Sequence, residues 1–343
     1  TSTAARWKTW PGWLRHERSA GPPQASSHRS AQHGGYPVSE AATVGALIAH
    51  YATVLDAAQV GYGHGTTNAQ DEATWLVLWQ LGLPLDAPLD GEDSVSNQPV
   101  AEEIRRQLAT LFEARIQTRK PAAYLTREAW LQGIPFYVDE RAIVPRSFIA
   151  ELIADADQSG SLDYWLGEHT HRVLDLCTGN GSLAVLAAMA YPDVVVDAAD
   201  ISPDALAVAR INVDKHDLAD RITLHTSDGL QGLTGPDHVY DLILCNPPYV
   251  NSASMAALPA EYQAEPALAL AGGDDGMDFI RSLLHDAPSR MREHAVLVLE
   301  IGNERDYFEA AFPTLEVVWL ETSAGYDQVL LVTREALSTL ASR

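Results

Sequence analysis

Cysteine is almost absent from this chain. Cys177 and Cys245 are the only two in 343 residues, each set in an apolar run, so a small secreted domain stapled by disulfides is excluded and the cytoplasm is the expected compartment. Long hydrophobic stretches are missing as well. The runs at 183–190 and 295–299 fall well short of the ~20 apolar residues that a membrane-spanning helix needs. Positive charge is the third scarcity: 23 Lys and Arg face 46 Asp and Glu, a formal net charge of −23. Such a surface repels phosphate, which counts against a nucleic-acid partner and favours a basic protein. What is present is ordinary for a globular chain, with 46% hydrophobic and 20% charged residues and length enough for about two domains.

The charge is uneven. Residues 1–35 hold Arg6, Lys8, Arg15, Arg18 and Arg29 against Glu17, net +4, while the other 308 hold 18 basic and 45 acidic groups, net −27. This head is rich in Arg, Ser, Gly and Pro and has no sustained apolar stretch, so it does not read as a secretory signal. With no Met before Met189, residues 1–35 are expected to be a disordered extension or an over-long reading frame; a transit peptide is the compositional alternative.

From Tyr36 the spacing turns helical. Val44, Leu47, Ile48, Tyr51, Val54 and Leu55 recur at three and four residues, with Ser39 before Glu40 as the expected cap. Gly61-Tyr62-Gly63-His64-Gly65 breaks the pattern. A second helix should start near Asn68, with Asp71 and Glu72 in its first turn, and end at Gly82; a third spans about 99–118. Residues 36–120 therefore read as a small helical domain. Over 121–146, Pro121, Pro135 and Pro145 punctuate short segments (Trp130-Leu131, Phe136-Tyr137-Val138, Ala142-Ile143-Val144) that look like a β-hairpin linker.

After a helix carrying Phe148, Ile149, Leu152 and Ile153, strand and helix alternate. Strands are expected at 172–177, 194–199, 222–225, 241–245, 295–301, 316–321 and 328–332, with helices at about 182–190, 203–216, 276–291 and 304–312. Apolar strands separated by helices mean an α/β fold with a parallel sheet covered on both faces. The last two strands are joined at Gly325 without a helix, so they should pair antiparallel.

Three motifs carry chemistry. The first expected strand of this alternation runs into Asp175-Leu176-Cys177-Thr178-Gly179-Asn180-Gly181 and then a helix. Glycines at such a turn let the backbone approach a ligand, and the helix N-terminus offers free amides. Gly179, Gly181 and Ala184 also meet the loose dinucleotide spacing, which indicates a nucleotide-like cofactor without saying which. Asp200, closing the second strand, can accept both ribose hydroxyls of an adenosine. Asp228, after the third, stands where an acceptor meets an adenine amino group. For either Asp the competing role is a turn or helix cap, since Pro203 and Gly229 follow.

The decisive motif is Asn246-Pro247-Pro248-Tyr249, directly after the fourth strand. Asn is disfavoured in strands, and two prolines force a fixed, extended exit. The Asn246 side-chain oxygen and the Pro247 carbonyl can both accept from one planar NH2 group. Such a nitrogen is a poor nucleophile because its lone pair is delocalised. Two fixed acceptors orient it and favour pyramidal nitrogen along the line of attack. Pro248 stiffens the backbone, and Tyr249 can pack on the flat face of the substrate.

Taken together, these residues resemble the class I S-adenosylmethionine-dependent methyltransferases that modify exocyclic or amide nitrogen, and within them the protein glutamine N5-methyltransferases, from Tyr62 to about Leu337. Tyr62-Gly63-His64-Gly65, Asp71-Glu72-Ala73, Leu83-Pro84-Leu85-Asp86, Ala123-Tyr124-Leu125-Thr126, Tyr137-Val138-Asp139-Glu140-Arg141 and Val144-Pro145-Arg146-Ser147 are similar to the group acting on large-subunit ribosomal protein uL3. The release-factor group usually has Pro-Arg-Pro-Asp/Glu-Thr-Glu at the last of these and Gly in place of Cys177. The resemblance implies a Rossmann-like domain over 147–343, with seven strands in the order 3-2-1-4-5-7-6 and strand seven antiparallel. It implies S-adenosylmethionine held by Asp175, Cys177, Gly179, Gly181, Asp200 and Asp228. Asn246, Pro247, Pro248 and Tyr249 would bind the substrate, methyl transfer would be direct and in line, and no metal would be needed. The helical domain would recognise uL3.

Rival readings remain at this stage. A release-factor methyltransferase shares the fold, and an adenine-N6 methyltransferase of DNA or RNA shares the catalytic motif but fits poorly with a body at net −27. An NAD-dependent oxidoreductase leaves Asn246–Tyr249 unexplained, and a non-catalytic assembly factor has no use for it. His169 and His171 lack a third ligand, and Asp274, Asp275 and Asp278 miss the calcium-loop spacing. His64 reads as a turn residue sooner than a substrate contact.

Overall fold

The computed structural model describes residues 43–154 and 162–341; the expected extension at 1–35 and the Ser39 cap lie outside them. The chain forms two compact units, one ending at Thr126 and the other beginning at Arg127.

The first unit comprises α1 (Val44–Ala58), α2 (Ala69–Leu81), α3 (Glu102–Thr118) and α4 (Ala122–Thr126). Thr43, not Ser39, caps α1, its side chain accepting from Ala46 N. Asn68 does the same for α2 by accepting from Asp71 N, and Gly82 ends that helix in the left-handed conformation. The apolar stripes meet around Leu47, Leu55, Leu76, Leu108 and Phe112, with the Tyr51 ring stacked on Phe112 at 3.8 Å. A charged pair is buried among them. Arg115 Nε donates to Glu72 Oε1 at 2.8 Å, Arg115 Nη2 to Gly61 O at 2.7 Å, and Thr66 Oγ1 to Glu72 Oε2 at 3.1 Å. These bonds tie the glycine-rich loop to α2 and α3. His64 sits inside that loop only 3% exposed, as a turn residue and not a surface contact.

The second unit opens with a hairpin, β1 (Ala129–Leu131) and β2 (Ile134–Phe136), and α5 (Ile149–Ala154). Residues 142–144, expected to extend that hairpin, are not a strand. Ala142 is buried with Ala205 and Val208, and Val144 N donates to the Glu265 side chain at 2.9 Å, so tertiary partners replace a sheet ladder. Then follow β3 (Arg172–Leu176), α6 (Ser182–Ala190), β4 (Val195–Asp200), α7 (Pro203–Lys215), β5 (Ile222–Thr226) and β6 (Tyr240–Cys245). After them come α8 (Ser252–Ala257), α9 (Ala260–Gln263), α10 (Asp278–Asp286), β7 (Met291–Glu300), α11 (Arg305–Ala311), β8 (Val318–Trp319), β9 (Val329–Thr333) and α12 (Arg334–Ala341). The helix expected over 276–291 stops at Asp286, because a short 3-10 turn holding Pro288 leads straight into β7.

Strands β3 to β9 form one sheet in the order β5-β4-β3-β6-β7-β9-β8. Numbered within the sheet this is 3-2-1-4-5-7-6. Its ladders are parallel except those of β9, which runs antiparallel to β7 and β8. Residues of β6 are buried throughout, as a strand covered on both faces requires. β3 lies at the centre, where the chain order reverses. In open α/β sheets the ligand crevice forms there, beyond the carboxyl ends of the strands. Among the described residues, no helix is long and apolar enough to cross a membrane.

Candidate active site

A pocket opens at those carboxyl ends. Asp175, Cys177, Gly179, Asp200, Asp228, Asn246 and Pro248 all line it, together with Arg141, Arg146, Ser147, Ile201, Leu268 and Phe279. Seven of the ten residues singled out from the sequence are thus brought together; Gly181, Pro247 and Tyr249 are not on its wall.

Asp175 ends β3 almost wholly buried. Its Oδ2 accepts from Thr178 Oγ1 and from Ala184 N at 2.9 Å, whereas Oδ1 is buried without a hydrogen-bond partner. Burial pushes this carboxyl up to about 7, against the pull of those two donors. Asp200 is pinned at both oxygens, Oδ2 by Gly179 N at 2.8 Å and Oδ1 by Ser202 N at 2.9 Å. Each oxygen keeps capacity to accept again. Asp228 stands exposed on the rim.

Gly181 serves the pocket from behind. At φ +81° a Cβ would come within 3.1 Å of Ala209 Cβ, so glycine lets α6 close on α7. Cys177 follows β3 with φ +60°. The Cys245 thiol, fully buried, is pushed well up by burial and by the neighbouring Cys177 thiol. The two cysteines meet at the ends of the adjacent strands β3 and β6.

These residues suit a cationic, partly apolar ligand. A buried carboxylate oxygen without a donor favours an ammonium group, and Leu176, Ala199, Ile201, Leu268 and Phe279 supply apolar wall. The methionine and adenosine halves of S-adenosylmethionine fit that donor set. The arginines on the wall are engaged, Arg141 with Asp139 and Arg146 with Glu265.

On the opposite side, Asn246 Nδ2 donates to the Arg146 carbonyl at 3.2 Å, which leaves Oδ1 as an acceptor. Tyr249 departs from expectation. Its ring lies where a Cβ on Gly302 would meet Cε2 at 2.5 Å, and its hydroxyl points to Glu300 Oε1 at 3.5 Å. These contacts brace the motif from within. Pro247 is buried, consistent with a stiffened exit from β6.

Two carboxylates missed from the sequence organise this side. Glu265, its side chain fully buried, pairs with Arg146. Glu300 ends β7 and accepts from Ser147 Oγ at 2.5 Å and Phe148 N at 2.9 Å; burial pushes it up to about 7 despite these donors. An acid at the carboxyl end of a central strand is a detectable signal. Glu265 had none, because its partner stands 119 positions away.

Among the described residues, Asp197, His225 and His238 gather as metal-type ligands. Arg172 already occupies Asp197 Oδ2 at 2.8 Å, His225 Nε2 meets Oδ1 at 2.9 Å, and His238 Nδ1 accepts from Gly235 N at 3.1 Å. Protein groups supply what a cation would.

The methyltransferase small domain family model matches residues 161–267. A ribosomal protein uL3 glutamine methyltransferase of Bordetella pertussis is 51% identical over 302 residues, covering 88% of this chain and 98% of that protein. The protein of the same name from Burkholderia pseudomallei is 49% identical, covering 87% and 97%. That from Neisseria gonorrhoeae is 48% identical, covering 80% and 89%.

Proposed function

This chain belongs to the family of ribosomal protein uL3 glutamine methyltransferases, and we propose that it methylates the side-chain amide nitrogen (N5) of a glutamine in uL3. The single observation that carries the catalytic half is the Asn246 amide, whose NH2 is held by Arg146 O while its oxygen is left to accept. S-Adenosylmethionine is the methyl donor; bound in the pocket, it would supply an electrophilic sulfonium methyl, to which the amide nitrogen bonds as the carbon–sulfur bond breaks and S-adenosylhomocysteine leaves. Asp175 would hold its ammonium end, and Asp200 would take its ribose hydroxyls. Cys177 and Gly179 would lie against it, and Asp228 would receive the adenine amino group. Asn246 Oδ1 and the Pro247 carbonyl accept the two amide N–H bonds, aligning the nitrogen and favouring its pyramidal form, with Pro248 and Tyr249 stiffening that frame. The nitrogen becomes acidic as it alkylates, so its proton leaves late and no strong base is required.

The helical unit is assigned to substrate recognition, and the acidic body at net −27 suits a basic ribosomal protein in the cytoplasm. Purified enzyme is expected to transfer one labelled methyl from S-adenosylmethionine to unmodified uL3 and none to release factors or adenine-containing DNA. Asn246→Ala should abolish transfer while still binding S-adenosylhomocysteine. Mass spectrometry of the substrate is the check; methylated release factor with untouched uL3 would overturn the target.

A further inference from the structure

We propose that Glu265 is a positioning residue for methyl transfer, acting through Arg146 to decide which end of the Asn246 amide faces the substrate. The inference rests on the reading of Asn246 given above and deepens it.

An asparagine amide has nearly the same shape with its oxygen and nitrogen exchanged, so packing alone cannot choose between them; hydrogen-bond partners must. The choice matters here. The methyl-accepting group is itself an NH2, and a flipped Asn246 would present a donor to a donor. Asn246 Nδ2 meets the Arg146 carbonyl at 3.2 Å. A carbonyl only accepts, so the NH2 end must lie there and Oδ1 must face the other way.

That carbonyl belongs to a segment with no helix or strand to hold it. Glu265 holds it instead. Its Oε1 accepts from Arg146 Nη1 at 2.6 Å and from Val144 N at 2.9 Å, and its Oε2 accepts from Arg146 Nη2 at 2.6 Å. The guanidinium also lies over the Tyr262 ring, 5.3 Å from its centroid. On the far side of the same carbonyl, Ser147 and Phe148 bond Glu300. Arg146 O is thus fixed from both directions. The two parallel charge-assisted bonds of the Glu265 clamp are the directional element, since a guanidinium fork admits one orientation of a carboxylate.

The test compares wild type, Glu265→Gln, Glu265→Asp, Arg146→Lys and Asn246→Ala in uL3 methylation and in binding of S-adenosylhomocysteine. Gln keeps the shape of Glu265 but sets an NH2 against a guanidinium N–H; Lys keeps the Arg146 carbonyl but gives up the fork. For both, kcat should fall roughly 10–100-fold, the effect of misplacing a reacting group by about 1 Å, with affinity for S-adenosylhomocysteine unchanged. Glu265→Asp should recover part of the loss. Wild-type kcat in Glu265→Gln, or equal losses of kcat and cofactor-product binding, would overturn the proposal. Should Glu265→Gln not fold, Arg146→Lys carries the same outcomes. If wild type leaves uL3 unmodified, the functional reading fails, and the clamp is then judged by the Asn246 side-chain NH2 signals in 15N spectra. They should shift and exchange faster in Arg146→Lys, and unchanged signals would refute the clamp.

Discussion

Asp175 carries its function in an unmet bond. With Oδ1 buried and without a donor and the carboxyl held up to about 7, it keeps its proton at mildly acidic pH. An ammonium ligand needs the carboxylate, so binding below about pH 7 must expel one proton. Affinity for S-adenosylhomocysteine should therefore weaken by about tenfold for each pH unit below 7, and Asp175→Asn should flatten that slope while lowering affinity. Titration calorimetry in buffers of different ionisation heat reads the released proton directly. Glu300 has the same elevation from the same cause, burial, here at the end of β7. Here the native state holds a proton that the unfolded chain releases from its ordinary value of 4.5. The unfolded state binds fewer protons between about 4.5 and 7, so this contribution to stability declines as pH rises through that window. Denaturant midpoints for Glu300→Gln should show a shallower decline than wild type. At this scale Asn246 and Asp200 were legible because Asp200 closes β4 and Asn246 follows β6 directly before Pro247. The placement of Tyr249 was not legible: its ring packs in the gap at Gly302, more than fifty positions later in the chain.

Elements were legible wherever local chemistry specifies them. Asn68 and Gly82 bound α2 as expected, because cap and left-handed exit depend on neighbours only. At the start of α1, Thr43 is the cap that the helix uses. The loop before α2 depends on the buried Glu72–Arg115 pair, which joins residues 43 positions apart. Glu72→Ala leaves a buried guanidinium uncompensated and should cost about 3–5 kcal/mol, read as a lowered denaturant midpoint. Between α6 and α7, Gly181→Ala meets both a positive φ and the Ala209 contact. It should destabilise by about 1–3 kcal/mol, with loss of cofactor affinity following from the displaced Gly179 loop.

For the whole molecule, charge is the property that reaches furthest. A body at net −27 facing a basic substrate should steer encounter electrostatically. Raising ionic strength from ~0.01 M, where charges act over ~30 Å, to ~1 M, where they act over ~3 Å, should raise KM for uL3 and leave kcat nearly constant. A KM that ignores salt would remove charge as the basis of substrate choice. Alternating apolar runs and spacers determined the parallel sheet and its antiparallel end, since these follow from periodicity and connection length, whereas the strand order was implied only by the family resemblance. The sequence by itself also marked the pocket-lining aspartates and the Asn246 motif, because they are contiguous with strand ends. Only the tertiary structure decided that Glu265 and Glu300 hold the Arg146 corner, that Tyr249 braces from behind, and that the Asn246 oxygen is the free end. Those outcomes rest on hydrogen bonds between residues far apart in the chain, and no local pattern encodes which distant carboxylate arrives.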